Sequence, residues 1–406
     1  MDYDKIIAEA EREYAAEFAR IDSIALENQK KVLDAFISCR VSARHFAPST
    51  GYGYGDDGRD KLSELFAAVF HTEAALASPH FASGTHTISC ALFGILMPGD
   101  KVLSLTGRPY DTLASVIYGK GIGSLADFGI TFECTALSGG KIDDKAVKKA
   151  LAANKYDAMY IQRSPGYERR KGLSTADIKE AVSLCRQYTE APIIVDNCYG
   201  EFAETLEPSD VGADLVLGSL IKNPGGALAP TGGYAAGKKA LIKRIAGRLT
   251  APGIGAEIGS YEHSYRNFYQ GLFVAPHTVA QARKGGLLAA AVMEKLGYAV
   301  FPPANDPTGD IVRVIDFEDK DKMIRFCQAV QAASPVDAFA LPVPWDMPGY
   351  EDQVIMAAGT FVQGSSIELS ADAPVRPPYS LYLQGGITYE HTKIALARCL
   401  RAFCEQ

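Results

Sequence analysis

The stretch PIIVDNCYGEFAETLEPSDVGADLVLGSLIKNPGG (192–226) carries two short apolar runs, PIIVD and ADLVLGS, each bounded by turn-forming residues. Short aliphatic runs without polar alternation read as strands buried on both faces, the mark of a parallel sheet covered by helices. Asp196 closes the first run, and Lys222 stands three residues after Ser219, which closes the second. In an open α/β sheet the carboxyl ends of neighbouring parallel strands meet at the crevice that receives ligands. An acid and a lysine at those two ends are therefore placed to meet one ligand.

The same signal recurs on both sides of this stretch. KVLSL (101–105), GITFECTAL (129–137), DAMYIQR (157–163) and GGYAAG (232–237) are separated by helical patterns, which predicts a mostly parallel sheet with helices on its faces. Residues 2–40 contain neither Gly nor Pro and repeat Ile7, Tyr14, Phe18, Ile21 and Ile24 at roughly helical spacing, so residues 1–45 are expected to form an N-terminal helical arm. PSTGYGYGDDG (48–58) is too rich in glycine for helix or strand and leads into a helix at Asp60. A large α/β domain over 46–275 follows from these elements. An alanine-rich segment at 277–296 reads as a connecting helix. Strands near 311–316 and 366–370, a helix near 319–333 and another from Tyr389 complete a smaller α+β C-terminal domain over 276–406.

With 406 residues, 47% of them hydrophobic, the chain is longer than one core supports, which agrees with two domains. A formal charge of −7 without any basic run interleaved with aromatics argues against nucleic acid or an anionic membrane as partner. Eight cysteines form no CxxC pair and no cluster with histidine at zinc spacing, so no disulfide framework or metal site is expected. No apolar segment suits a signal peptide or a membrane span, and a cytoplasmic location is expected.

Asp196 and Lys222 suit pyridoxal 5′-phosphate (PLP), which needs a lysine to form a Schiff base and an acid to keep its ring nitrogen protonated. Their spacing also fits a turn aspartate and a surface lysine; the frame of Ser219 and Asn223-Pro224-Gly225-Gly226 favours the first reading. The stretches GYGYGDDGRDKLSELFA, SGTHTISCALFG, GRPYDTL, IQRSPGY, VDNCYGEF, EPSDVGADLVLGSLIKNPGG, TGGYAAG, RLTAPGIG and SADAPVRPPYSLYLQGG, spread over residues 50–386, carry a family resemblance. With them the chain resembles fold type I (aspartate aminotransferase-like) PLP-dependent enzymes of the Cys/Met metabolism class. Most closely it resembles the methionine γ-lyase-related proteins linked to aluminium resistance, candidate cystathionine β-lyases.

The resemblance implies a carbon–sulfur lyase acting on a sulfur-containing amino acid, with Lys222 as cofactor lysine and general base and Asp196 on the ring nitrogen. It implies that Ser83, Gly84 and Thr85 form the phosphate-binding turn at a helix start, where backbone amides favour an anion, and that Ser219 adds a hydroxyl. The loop with Tyr52, Tyr54 and Arg59 resembles one that reaches a neighbouring subunit's phosphate, with Tyr54 and Arg59 as donors, so that a homodimer or homotetramer shares its sites. Related lyases carry Tyr-x-Arg there, which this chain does not. Thr106 stands where they carry a stacking aromatic, leaving Tyr110 or His86 for that role. Arg376 resembles the arginine that grips a substrate carboxylate. Arg163 and Tyr167, at the end of another expected strand, are read as facing the crevice and binding substrate or cofactor. Cys198 is set aside as a nucleophile. Rival readings are a PLP aldolase, racemase or aminotransferase, a PLP-binding protein without turnover, and a dinucleotide enzyme, for which GYGYG lacks the GxGxxG frame.

Overall fold

The computed structural model describes residues 2–404. It begins with α1 (Tyr3–Glu13) and α2 (Ala15–Ser38), which break at Tyr14. Tyr3, Ile7 and Ala10 share one face of α1 and are buried, as helical spacing requires. After the glycine-rich loop come α3 (Asp57–Val69), β1 (Ala74–Ser78), α4 (Gly84–Ile95), β2 (Lys101–Ser104), α5 (Asp111–Tyr118) and β3 (Thr131–Cys134). The small hairpin β4 (Leu137–Ser138) and β5 (Lys141–Ile142) precedes α6 (Asp144–Ala153), β6 (Ala158–Gln162), α7 (Thr175–Cys185), β7 (Ile193–Asp196), β8 (Leu215–Ser219) and β9 (Gly233–Gly237). Then follow α8 (Lys239–Leu249) and α9 (Arg266–Lys295), β10 (Ala299–Phe301), β11 (Arg313–Asp316), α10 (Lys320–Ala332), β12 (Val354–Ala357), β13 (Ser370–Pro374), β14 (Ser380–Gln384) and α11 (Tyr389–Cys404).

Seven strands form one sheet in the order β1-β9-β8-β7-β6-β2-β3. β3, β2, β6, β7 and β8 are parallel, and β9 runs antiparallel to both of its neighbours. Strand alternation divides its side chains between two cores. Met159, Ile161, Ile193, Val195 and Val216 enter the core shared with α3, α7 and α9. Ala158, Tyr160, Ile194, Leu215 and Leu217 enter the core shared with α4 and α8. The sheet is thus apolar on both faces, which is why its central strands read as continuous apolar runs.

A second, antiparallel sheet has the order β10-β11-β14-β13-β12. Its core takes in the last half of α9, α10, α11 and the buried face of α1, so the first helix packs with the C-terminal elements. Tyr389 Oη and Lys393 Nζ both bond Glu11 and fasten that contact. α9 joins the two sheets and starts 11 residues earlier than the alanine-rich segment suggests, with Pro276 inside it.

Candidate active site

Gln162, Asp196 and Ser219 end β6, β7 and β8, and all three share the alternation of the residues beneath α4. They line a cavity of about 460 Å³ together with Ser83, Gly84 and Thr85 at the start of α4. Ser83 caps that helix by accepting from His86 N at 3.0 Å. The helix sits close over the strand ends: a Cβ on Gly84 would lie 3.4 Å from Ser219 Cβ and 3.5 Å from Cys198 Sγ. Thr85 Oγ1 lies 3.1 Å from Tyr110 Oη.

Asp196 is buried, with Cys198 N donating to Oδ1 at 3.1 Å and Tyr160 Oη to Oδ2 at 3.4 Å. Burial pushes its carboxyl up, and the Lys222 ammonium leads the groups that pull it back. Lys222 heads the tight turn Asn223–Gly225. Its Nζ also faces the cavity, 3.8 Å from the centre of the Tyr199 ring. Burial opposes the charge on Lys222, but Cys198, Tyr199, Asp196 and Tyr110 together outweigh it and hold the amine well above the ordinary lysine range. Tyr199 has φ 71°, a left-handed conformation unusual for a non-glycine residue, and this points its ring under the lysine.

The Lys222 turn is braced from below. A Cβ on Gly271 of α9 would come 2.2 Å from the Gly225 carbonyl oxygen, so the two glycines let helix and turn touch. Asn223 Nδ2 donates to the Glu201 carbonyl at 2.9 Å. Glu201 Oε1 accepts from Tyr234 Oη at 2.9 Å, while its buried Oε2 has no hydrogen-bond partner among the described residues.

Burial, with the charge of Glu207 adding, pushes the Glu201 carboxyl up to about 8 against backbone, Tyr234 and Lys222 contributions in the other direction. A folded-state value above the ordinary 4.5 favours the protonated native form. Stability is therefore fullest below that ordinary value, falls as pH rises toward about 8, and levels off beyond it. Glu201→Gln keeps a neutral hydrogen-bonding group and is expected to raise stability at the alkaline end relative to the acidic end by on the order of 2 kcal/mol or more. Urea unfolding of both proteins at the two ends of that range measures this, and parallel pH dependences would refute it.

The expected residues divide into three groups. Ser83, Gly84, Thr85, Tyr110, Tyr167, Asp196, Ser219, Lys222 and Arg376 line the cavity. Of the two stacking candidates only Tyr110 does so; His86 turns its Nδ1 back to accept from Ala82 N. Arg376 lies at the rim, Nη1 2.8 Å from Asp352 Oδ2.

Arg163 is corrected: it does not face the crevice. One residue past Gln162, it falls on the opposite side of the sheet, where it is fully buried and donates to Asn197 Oδ1, Gly200 O, Glu204 Oε2 and Leu173 O. Tyr54 and Arg59 lie outside this chain's own cavity. Tyr54 is exposed beside Tyr52, their ring centres 5.6 Å apart. Arg59, in the first turn of α3, bonds Asp60 beside it and the Gly53 carbonyl of the preceding loop. Gln162, Tyr199, Tyr350, Asp372 and Gln384 line the cavity without having been singled out in the sequence.

Tyr110 Oη is held well above its ordinary value, first by burial and then by Asp196. The Cys198 thiol is likewise pushed well up by burial and Asp196, so it is a thiol rather than a thiolate at neutral pH. Cys39, Cys90, Cys134, Cys185, Cys198, Cys327 and Cys399 are free thiols, and among the described residues no three His, Cys, Asp or Glu side chains gather to hold a metal and no helix is long and apolar enough to cross a membrane.

The family model described as methionine gamma-lyase matches residues 3–404. The chain belongs to the methionine gamma-lyase family. The uncharacterised protein YnbB of Bacillus subtilis is 48% identical over 407 residues, 99% of this chain and 96% of that one. A solved structure from Listeria monocytogenes, described as a candidate cystathionine beta-lyase involved in aluminium resistance, is 49% identical with a TM-score of 0.96, covering 98% of this chain and all of that one. The pyridoxal-5′-phosphate-dependent protein YhfS of Escherichia coli shares the fold at 16% identity and a TM-score of 0.64, covering 94% and 96%. Family and fold imply PLP. The residues of the cavity fit it: a buried carboxylate at the end of β7, an amine on the turn that follows β8, and a small-residue helix start with two hydroxyls beside them.

Proposed function

We propose that this member of the family is a cytoplasmic PLP-dependent carbon–sulfur lyase of fold type I, the aspartate aminotransferase-like fold, acting on a sulfur-containing amino acid. One observation carries the reading: Lys222 Nζ and the Asp196 carboxylate share a single cavity. Lys222 would attach the cofactor, Asp196 would hold its ring nitrogen, and Ser83, Gly84, Thr85 and Ser219 would hold its phosphate. When bound, the cofactor supplies an electron-accepting ring that acidifies the substrate Cα proton. The Lys222 amine would take that proton and return it. Asp196 would keep a negative charge against the ring, and Tyr110 would cover it. Arg376 leaves Asp352 to grip the substrate carboxylate, with Tyr167 beside it. Tyr54 and Arg59 serve the phosphate of a neighbouring subunit, in a homodimer or homotetramer.

The test is reconstitution with PLP followed by addition of cystathionine, methionine and cysteine. A visible absorbance band, with a keto acid and a thiol or sulfide released, is the expected result. A band without release would move the function to another PLP chemistry or to a binding protein, which assays of aldehyde release, racemisation and amino transfer separate. No band would end the reading.

A further inference from the structure

The cavity holds a second carboxylate that this chemistry leaves unused. Asp372, the middle residue of β13, stands opposite Tyr382 on β14 and faces the cavity from the antiparallel sheet, across from the strand ends that carry Asp196 and Ser219. Its Oδ2 accepts from Gln384 Nε2 at 3.0 Å, and Oδ1 has no hydrogen-bond partner among the described residues. Tyr167, Tyr350 and Tyr382 surround it and are engaged with one another: the rings of Tyr167 and Tyr382 lie 5.0 Å apart, and Tyr382 Oη donates to the Tyr167 carbonyl.

Among the described residues no cation pairs with Asp372. Of the basic groups lining the cavity, Arg108 pairs with Glu351 and Arg376 with Asp352, both at the rim, and Lys222 belongs to the floor. Burial pushes the Asp372 carboxyl up to about 6, with Gln384 and Lys222 pulling the other way, so at neutral pH it remains mostly a carboxylate. The half-buried carboxylate thus keeps one hydrogen bond to the protein and turns a charged oxygen toward the cavity, where a cationic group of a ligand can meet it. The α-carboxylate of an amino acid would be repelled there, and its α-amine is committed to the floor of the cavity. What remains is the far arm of the substrate.

We infer that Asp372 is a specificity-determining residue that receives an ammonium group on the distal arm of the substrate. The preferred substrates are then thioethers or disulfides carrying a second amino group, rather than sulfur amino acids ending in a methyl or a thiol. This inference rests on the proposed lyase site, because it takes the substrate to be anchored at Lys222. Gln384 orients the carboxylate, and its neutral amide leaves the charge for the ligand.

The experiment uses the PLP-loaded enzyme and its Asp372→Asn and Asp372→Glu variants, with cystathionine as the diamino probe and methionine as the monoamino one. Binding is followed by the change in cofactor absorbance, which requires no turnover, and kcat/KM is measured alongside. Asp372→Asn is expected to weaken cystathionine binding about thirtyfold or more, to change methionine binding little, and to leave the cofactor band intact. Asp372→Glu is expected to restore part of the preference. Equal losses for both probes, or no loss for either, would overturn the assignment. Selective loss of cystathionine binding without keto acid release from the parent enzyme would support Asp372 while sinking the lyase reading. An enzyme that binds neither probe would sink both.

Discussion

Lys222→Ala is expected to abolish the visible absorbance of the PLP-reconstituted protein and to lower turnover by at least about a thousandfold, since it removes both the attachment point and the base. The variant should still fold. Lys222 stands outside the strand ladder, on a turn held by Asn223, Gly225 and α9, and the substitution touches none of these contacts. It loses the contact with the Tyr199 ring, an interaction on the order of 1–2 kcal/mol. It also takes a cation from beside Asp196, whose carboxyl then rises further because Lys222 was pulling it down. Spectra, keto acid release and a thermal melt on the same preparation separate these effects. A variant that melts like the parent yet keeps both its band and its turnover would show that another amine does this work.

Lys222 and Asp196 were legible in the sequence because the parallel strands bury both faces. β7 and β8 read as uninterrupted apolar runs, and the residues that end them fall at the crevice by topology. β1 escaped because Ala74–Ser78 is mostly alanine, and only its pairing with β9 makes it a strand. α9 was read short because its first turns carry aromatics, glycine and Pro276 in place of alanine, and tertiary burial overrides that local preference. β13 was expected near 366–370 and lies at Ser370–Pro374. Arg163 was misplaced by the parity of a single residue: DAMYIQR marks a strand but not which of Gln162 and Arg163 faces the ligand. Asp372, Gln384 and Tyr350 come to the cavity from the far sheet and its loops, 154 to 188 residues beyond Asp196, which no local pattern encodes. Tyr199 is placed by a positive φ, and its own residue type gives no hint of that.

Asp196→Asn is expected to keep the cofactor and lose the catalysis. The side chain has the same shape, so Oδ1 can still accept from Cys198 N. The amide cannot supply the charge, and removing one group aimed at developing charge in a buried site costs on the order of a hundredfold to a thousandfold in turnover. The substitution has a second, independent signature. Asp196 raises the proton affinity of Tyr110 and Tyr160, after burial, and contributes to that of Lys222. Removing the charge should move all three downward, so the alkaline limb of the pH–rate profile shifts to lower pH in the variant. A merely structural aspartate would lower stability without moving that limb. Turnover within about threefold of the parent, on an unshifted profile, would remove Asp196 from the machinery and leave Lys222 without the acid that the chemistry at this cavity requires.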